Sequence, residues 1–346
     1  YITRPILPDI DEVYGKLTEI WSSKQLTNNG SQVKQLERML KQYLKVPGLS
    51  LFNNGTIALM LAAKVLKLSG EVITTPFTFA ATPHSLVWNQ LEPVFCDIRE
   101  TDLTIDPEQI ERLITPRTSA IVGVHVFGNP CDVKAIQSIA EKYHLKVIYD
   151  GAHSFGSMID DHGIGNFGDI TMFSFHATKL FHSVEGGALT YRDPAIGKSL
   201  ELLRNFGIES EDLIADVGIN GKMNELQAAI GQIVLSYVEV ERSARSKLYD
   251  LYQRELGLVP GLKVMELRQS GIVPSYQYLP ILIQKDQFGR SRDEVYENLK
   301  QYNIFARKYF YPLCSNFPCY SGLASSNPDH LPMANRIVNE VLCLPF

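Results

Sequence analysis

Short apolar runs alternate with amphipathic stretches from about residue 50 to residue 190. Between Thr56 and Leu68, apolar residues recur at helical spacing, among them Leu59, Ala62, Ala63 and Leu66. Glu71 to Thr75 reads as a short strand stopped by Pro76, Thr78 to Asn89 as a helix, and Pro93 to Asp97 as the next strand. Pro107 stands in the first turn of a helix predicted to end at Ile114, where a missing N–H does no harm. Ser119 to Val124 has the near-continuous apolar character of a strand covered on both faces. Asp132 is placed to cap a helix that runs to Tyr143. Lys146–Asp150, Ile170–Phe175 and Gly187–Tyr191 complete the predicted strands.

This βαβ series predicts a mostly parallel sheet with helices on both faces. Ligands of such sheets gather at the carboxyl ends of the strands. Asp150 stands at one such end, and His125 and Ser174 stand within a residue or two of others. Beyond about residue 192 the texture changes. Leu200–Phe206 and Met223–Ala244 read as helices, Gln277–Ile283 as a strand and Ser291–Gln301 as a further helix. The expected division is a large α/β domain over residues 20–240 and a smaller α+β domain from residues 1–19 and 241–346.

Composition narrows the class. The 346 residues are 45% hydrophobic and 21% charged, with a formal net charge of -5, which fits a soluble globular protein and gives nucleic acid no basic stripe to bind. No apolar run approaches the ~20 residues of a membrane span. The five cysteines are odd in number and form no CxxC pair, so a disulfide framework is not expected. His176 and His182 are six apart, which is wrong for one helix face, His125 and His153 lack carboxylate partners at ligand spacing, and no metal is expected. Tyr1-Ile2-Thr3-Arg4-Pro5 lacks the shape of a signal peptide, and a cytoplasmic location follows. The chain has no starting Met and ends on Leu344-Pro345-Phe346 like a strand cut short, so trimmed ends are expected.

Candidate chemistry centres on two residues. Lys179 follows Ser174-Phe175-His176-Ala177-Thr178 and is flanked by Phe173, Phe175, Leu180 and Phe181. A lysine in apolar surroundings has a lowered pKa, and its neutral amine attacks aldehydes. Asp150 ends an apolar strand, where a carboxylate can keep a pyridine nitrogen protonated. Together they suggest a Schiff base between Lys179 and pyridoxal 5'-phosphate (PLP), with Asp150 facing the ring nitrogen. His153 can touch the ring face or its hydroxyl. Asn53-Asn54-Gly55-Thr56 precedes a helix and reads either as a phosphate cradle or as a turn with a threonine cap. Phe79, in Thr75-Pro76-Phe77-Thr78-Phe79, reads either as a ring-stacking aromatic or as core.

Taken in order, Leu51–Leu59, Pro76–Thr82, Asp150–Gly156, Ser174–Lys179, Glu185-Gly186-Gly187 and Gly218–Ala229 resemble the DegT/DnrJ/StrS group of PLP-dependent nucleotide-sugar aminotransferases. The resemblance implies the aspartate-aminotransferase architecture, fold type I, and a homodimer with shared active sites. It implies that Lys179 carries the cofactor, Asp150 pairs with the pyridine nitrogen, His153 lies beside the ring and Phe79 stacks on it. Gly55, Thr56 and Ser174 match phosphate binders, and Asn220 matches a residue reaching the phosphate of the neighbouring subunit. Asn29, Lys222 and Tyr309 are the candidate substrate contacts. The departures are Asp150-Gly151-Ala152 for Asp-Ala-Ala, Phe206 where many relatives carry His, and Gly221-Lys222 for a frequent Tyr-Arg pair. Thr3-Arg4-Pro5, Leu26–Gly30 and Arg204–Gly207 look like members that aminate C4 of dTDP-4-keto-6-deoxyglucose with L-glutamate as donor. Members acting at C3, or on UDP or GDP sugars, share the cofactor motifs. Dehydratases that resemble this group carry His in place of the lysine, so Lys179 argues against that chemistry.

Overall fold

The computed structural model describes residues 2–346; Tyr1, the first residue of the expected segment 1–19, lies outside them. Seven strands form the main sheet: β1 (Gly48–Phe52), β2 (Glu71–Thr74), β3 (Glu92–Phe95), β4 (Thr118–Val124), β5 (Lys146–Asp150), β6 (Ile170–Ser174) and β7 (Gly187–Tyr191). Their spatial order is β1-β7-β6-β5-β4-β2-β3. Strand β7 runs antiparallel to both of its neighbours. The remaining neighbours pair in parallel. The sheet is therefore mixed and mostly parallel. The reversal of β7 leaves no trace in its own residues, because an apolar run after glycine reads alike in either direction.

Helices α1 (Ile10–Ser23), α2 (Ser31–Leu44), α3 (Gly55–Val65), α4 (Ala81–Trp88), α5 (Pro107–Leu113), α6 (Val133–Tyr143), α7 (Pro194–Leu203) and α8 (Glu225–Leu256) surround it. Which helix covers which face follows from strand parity, since successive side chains point to opposite sides. Val147 and Tyr149 of β5 join Ile73, Ile121 and the α6 residues Val133 and Ile136 in one core. Ile148 joins Val72, Val122, Ile170, Met172 and the α3 residues Ala58, Leu61 and Ala62 in the other. Each large aliphatic side chain so buried contributes about 1.5–3 kcal/mol. Asp150 shares the parity of Ile148, so its carboxylate emerges on the α3 side of the sheet.

Helix α8 begins with a reciprocal cap. The Asn224 side chain accepts from the Gln227 N–H at 2.9 Å, and the Gln227 side chain accepts from the Asn224 N–H at 3.2 Å. Its first residue, buried Glu225, also accepts N–H groups of Gly30, Gln32 and Val33 at 3.1, 2.8 and 3.4 Å, and so caps α2 as well. The helix expected to end near Ala244 runs on to Leu256, because no glycine or proline follows Ala244 before Gly257. Helix α4 starts at Ala81, three residues later than the expected Thr78. Helices α1 and α2 and strand β1 are found where the sequence pattern assigns none.

A second, antiparallel sheet is built from β8 (Leu262–Val264), β9 (Leu279–Ile283) and β10 (Val341–Leu344). Phe310, Leu313, Cys314 and Val341 of this C-terminal part share a core with Phe77, Phe95, Val124 and Phe127. It therefore packs on the rim of the main sheet where the parallel strands end. Among the described residues, no helix is long and apolar enough to cross a membrane.

Candidate active site

A cavity of about 550 Å³ opens at the carboxyl ends of β4, β5 and β6, lined there by Val124, Asp150 and Ser174. The start of α3 forms one wall, the Lys179 loop another, and the C-terminal part supplies Tyr278, Arg307, Tyr309 and Phe310.

The first turn of α3 is prepared for an anion. Asn54, and not Thr56, is its cap, accepting from the Ile57 N–H at 2.8 Å. The Ala58 N–H is taken by the Asn54 carbonyl at 3.2 Å. That leaves the N–H groups of Gly55 and Thr56, which have no acceptor within the helix. Both residues line the cavity, with Ser174 across from them. A Cβ at position 55 would lie 3.1 Å from the Ser174 Cβ and 3.2 Å from the Met172 Sδ, so glycine allows this close approach.

Asp150 is buried, and a chain of hydroxyls orients it. Thr82 Oγ1 donates to Oδ2 at 2.7 Å, the Ala152 N–H donates to Oδ1 at 3.0 Å, and Thr78 Oγ1 lies 2.9 Å from Thr82 Oγ1. Burial pushes the carboxyl pKa up, while Thr82, Ala152 and the Lys179 charge pull it down. A buried anion held by donors and lacking a full counter-charge suits a positively charged partner at the strand end.

Lys179 sits on a loop that leaves β6 and returns to β7. The Phe175 N–H bonds to the Gly186 carbonyl at 2.8 Å and closes the loop at its base. Fully buried Phe175, Leu180 and Phe181 anchor the loop in the core. Gln277 clamps the peptide groups on either side of the lysine: its Oε1 accepts from the Leu180 N–H at 2.6 Å and its Nε2 donates to the Thr178 carbonyl at 3.1 Å. The amine lies 5.7 Å from the centroid of the Tyr278 ring. Lys179 is half-buried by surface area, but the area it exposes faces the cavity. Desolvation, opposed by the Asp150 charge and joined by that of Arg307, brings its pKa down to about 8.

His153 is buried beneath the cavity. Its Nδ1 accepts from the Phe127 N–H at 3.1 Å, so a neutral ring carries its proton on Nε2. The ring is nearly parallel to that of Phe310 at 5.7 Å and edge-on to Tyr278 at 4.8 Å. Burial holds its pKa well below the usual value, with the Lys179 charge in the same sense.

The other residues singled out from sequence divide into two groups. Phe79 lines the cavity and is 59% exposed. Tyr309 lines it too, its hydroxyl 3.5 Å from that of Tyr278. Asn220, Asn29 and Lys222 are not among the lining residues. Asn220 is exposed and bridges to Asn205, Lys222 Nζ donates to Asn205 Oδ1 at 2.6 Å, and Asn29 lies in the turn ahead of α2 at a φ of 59°. Sequence reasoning missed Thr82, Tyr278 and Arg307. Thr78 and Thr82 at i and i+4 were a usable signal for the first; nothing local marks the other two.

These groups fit PLP on the donor set alone: two free N–H groups and a hydroxyl for a phosphate, a buried carboxylate for a cationic ring nitrogen, and a low-titrating amine for an aldehyde.

Comparisons with known proteins agree with this chemistry. Residues 9–346 match the profile of the DegT/DnrJ/EryC1/StrS aminotransferase family. The chain is 44% identical to a dTDP-4-amino-4,6-dideoxy-D-glucose transaminase of Escherichia coli, covering 100% of this chain and 93% of that protein. It is 29% identical to a GDP-perosamine synthase of Vibrio cholerae, over 95% of this chain and 89% of that one. Among solved structures, DesI in the presence of its TDP-sugar product superposes with a TM-score of 0.94 at 34% identity, over 100% of this chain and 87% of that chain. PseC of Helicobacter pylori, an aminotransferase of pseudaminic acid biosynthesis, superposes with a TM-score of 0.92 at 28% identity, over 100% and 93%.

Proposed function

The chain belongs to the DegT/DnrJ/EryC1/StrS aminotransferase family, and from that membership we propose that it transfers the amino group of L-glutamate to C4 of dTDP-4-keto-6-deoxyglucose, giving dTDP-4-amino-4,6-dideoxyglucose. The observation that carries the chemistry is the low-titrating Lys179 amine in one cavity with the donor-held Asp150 carboxylate. The choice of sugar is supported by the 44% identity to the E. coli transaminase along the whole chain and by the likeness to DesI.

Pyridoxal 5'-phosphate, when bound, supplies an aldehyde that takes up amines and a ring that withdraws electrons. Lys179 would hold the cofactor through its amine, and that amine would act as the base that takes the proton from the donor α-carbon. An amine that titrates near 8 suits both tasks at neutral pH, being neutral often enough to attack and basic enough to accept. Asp150, oriented by Thr82, holds the positive charge of the ring nitrogen. Gly55, Thr56 and Ser174 would hold the phosphate, and Phe79 and His153 would flank the ring. In the second half the keto sugar enters the same cavity and Lys179 runs the proton transfer in reverse.

The working unit is a homodimer in which Asn220 reaches the partner's phosphate site and Asn29, Lys222 and Tyr309 contact the sugar. Ile214 and Val217, 70% and 80% exposed beside Asn220, support such a contact. We assign residues 20–240 to the large domain and 1–19 with 241–346 to the small one, a cytoplasmic site of action, and a product used for the O-antigen of lipopolysaccharide.

The test incubates the purified enzyme and PLP with L-glutamate and, separately, dTDP-4-keto-6-deoxyglucose, its 3-keto isomer, and UDP- and GDP-linked 4-keto sugars, read by mass spectrometry. Amination of the dTDP 4-keto sugar at least tenfold faster than the others is expected. Faster turnover of the GDP or UDP sugar refutes the substrate. Lys179→Ala should abolish turnover, and steady transamination by it removes the assigned role.

A further inference from the structure

One guanidinium in the cavity wall is left without a task. Arg307 lines the cavity together with Lys179 and Glu185. Its backbone is fixed to β10: its N–H donates to the Cys343 carbonyl at 2.9 Å, and its carbonyl accepts from the Cys343 N–H at 2.8 Å. Its side chain lies over the Tyr309 ring, 4.8 Å from the centroid. Several other arginines are paired with carboxylates, as Arg204 is with Glu37 and Glu201 and Arg336 is with Glu100, but among the described residues no carboxylate pairs with Arg307 in the cavity wall. The two carboxylates in the cavity wall are engaged elsewhere, Asp150 with Thr82 and Ala152, and Glu185 at 3.5 Å from His176.

An arginine stays charged at any working pH and offers a planar fork of N–H donors that matches a carboxylate. Held against a ring and facing a cavity, this one is ordered before any ligand arrives. Burial is the main reason that Lys179 titrates low, and the charge of Arg307 adds to it, so the two cations act on one another. A ligand that settles between them must bring negative charge.

Both proposed substrates are anions, and their shapes separate them. The α-carboxylate of an amino acid is bonded directly to the carbon that gives up its proton. A cation that holds it must stand beside Lys179. The diphosphate of a nucleotide sugar is removed from C4 by the whole hexose ring, and the keto sugar has no charge next to its reacting carbon.

We propose that Arg307 binds the α-carboxylate of the amino donor and thereby restricts the donor to α-amino acids. The inference rests on the aminotransferase reading and assigns Arg307 to one half of the reaction only.

The test separates the halves in single turnovers of the holoenzyme, comparing wild type with Arg307→Met and Arg307→Lys. With L-glutamate, Arg307→Met should need roughly 10- to 100-fold more donor for half-saturation, the scale of a lost charge-assisted pair. Arg307→Lys should fall between the two. With the keto sugar, starting from enzyme loaded with pyridoxamine phosphate and at a pH above the Lys179 midpoint of each variant, where that amine is neutral in all of them, all three should agree within about threefold. Calorimetric titration of cofactor-free protein with 2-oxoglutarate should give binding to wild type and its loss in Arg307→Met. Equal slowing of both halves, slowing of the sugar half alone, or unchanged 2-oxoglutarate binding overturns the proposal. If wild type transfers no amino group at all, the functional reading fails by itself, and the titration still decides the role of Arg307.

Discussion

The Lys179 amine allows a quantitative prediction about cofactor loading. The attacking species is the neutral amine, so the rate at which cofactor-free enzyme captures PLP should follow the deprotonated fraction of Lys179. With a pKa of about 8, that fraction is roughly one-tenth at pH 7. A lysine titrating at 10.5 would be neutral in roughly one molecule in 3,000, so the environment is worth about 300-fold in rate at pH 7. The assay mixes cofactor-free protein with PLP at a series of pH values and follows the visible absorbance, using a free lysine peptide under the same conditions to remove the pH dependence of the aldehyde. The rate should climb about tenfold per pH unit below 8 and level off above it. Substitutions test the causes with opposite signs. Asp150→Asn removes a charge that raises the pKa and should move the midpoint below 8; Arg307→Met removes one that lowers it and should move the midpoint above 8. Stability should change in the same window. Between about pH 8 and 10.5 the unfolded chain binds the proton that the folded chain has released, so the cofactor-free protein should become more stable as pH rises. A loading midpoint near 10.5, or shifts of the same sign in both variants, would refute the desolvated-amine argument.

Substitutions at two further positions probe the cofactor cradle. Thr82→Val keeps the shape but leaves Asp150 Oδ2 without its hydroxyl donor, a loss of about 1–3 kcal/mol at a buried carboxylate; PLP affinity by fluorescence titration should fall roughly tenfold or more, with Thr82→Ser close to wild type. If valine and serine behave alike, the hydroxyl does not position Asp150. Gly55→Ala adds a methyl 3.1 Å from the Ser174 Cβ, which helix propensity of up to ~1 kcal/mol offsets in folding; the melting temperature should change little while PLP affinity falls, and Gly55→Val should lose both.

Much of the scaffold was legible because its strands are short, apolar and punctuated. Pro76 after β2, Pro107 at the first turn of α5 and Asp132 ahead of α6 act through local backbone chemistry, which sequence reveals directly. The cap of α3 was legible only in part: two asparagines precede Gly55, and only the fold decides that Asn54 turns inward. Asp150 could be placed on the α3 face by parity along β5. Thr82 lay within a recognised run, yet its role depends on a strand far along the chain. Tyr278 and Arg307 could not be read at all, because they reach the cavity through the second sheet, whose packing on the first is tertiary information, and the hold of Gln277 on the lysine loop depends on that same packing. The continuation of α8 beyond Ala244 was underestimated because its surface turns polar there while its backbone meets no breaker.

The reversal of β7 has an evolutionary consequence. Strands that share a direction need a crossover spanning the sheet, so altering their connection means altering a helix. Strands β6 and β7 meet at the same rim, and the segment bearing the Lys179 amine is a cassette with both ends fixed in place. Such a cassette can be exchanged or rewritten without re-threading the sheet, so a new reaction can be tried on an old scaffold at little cost to folding.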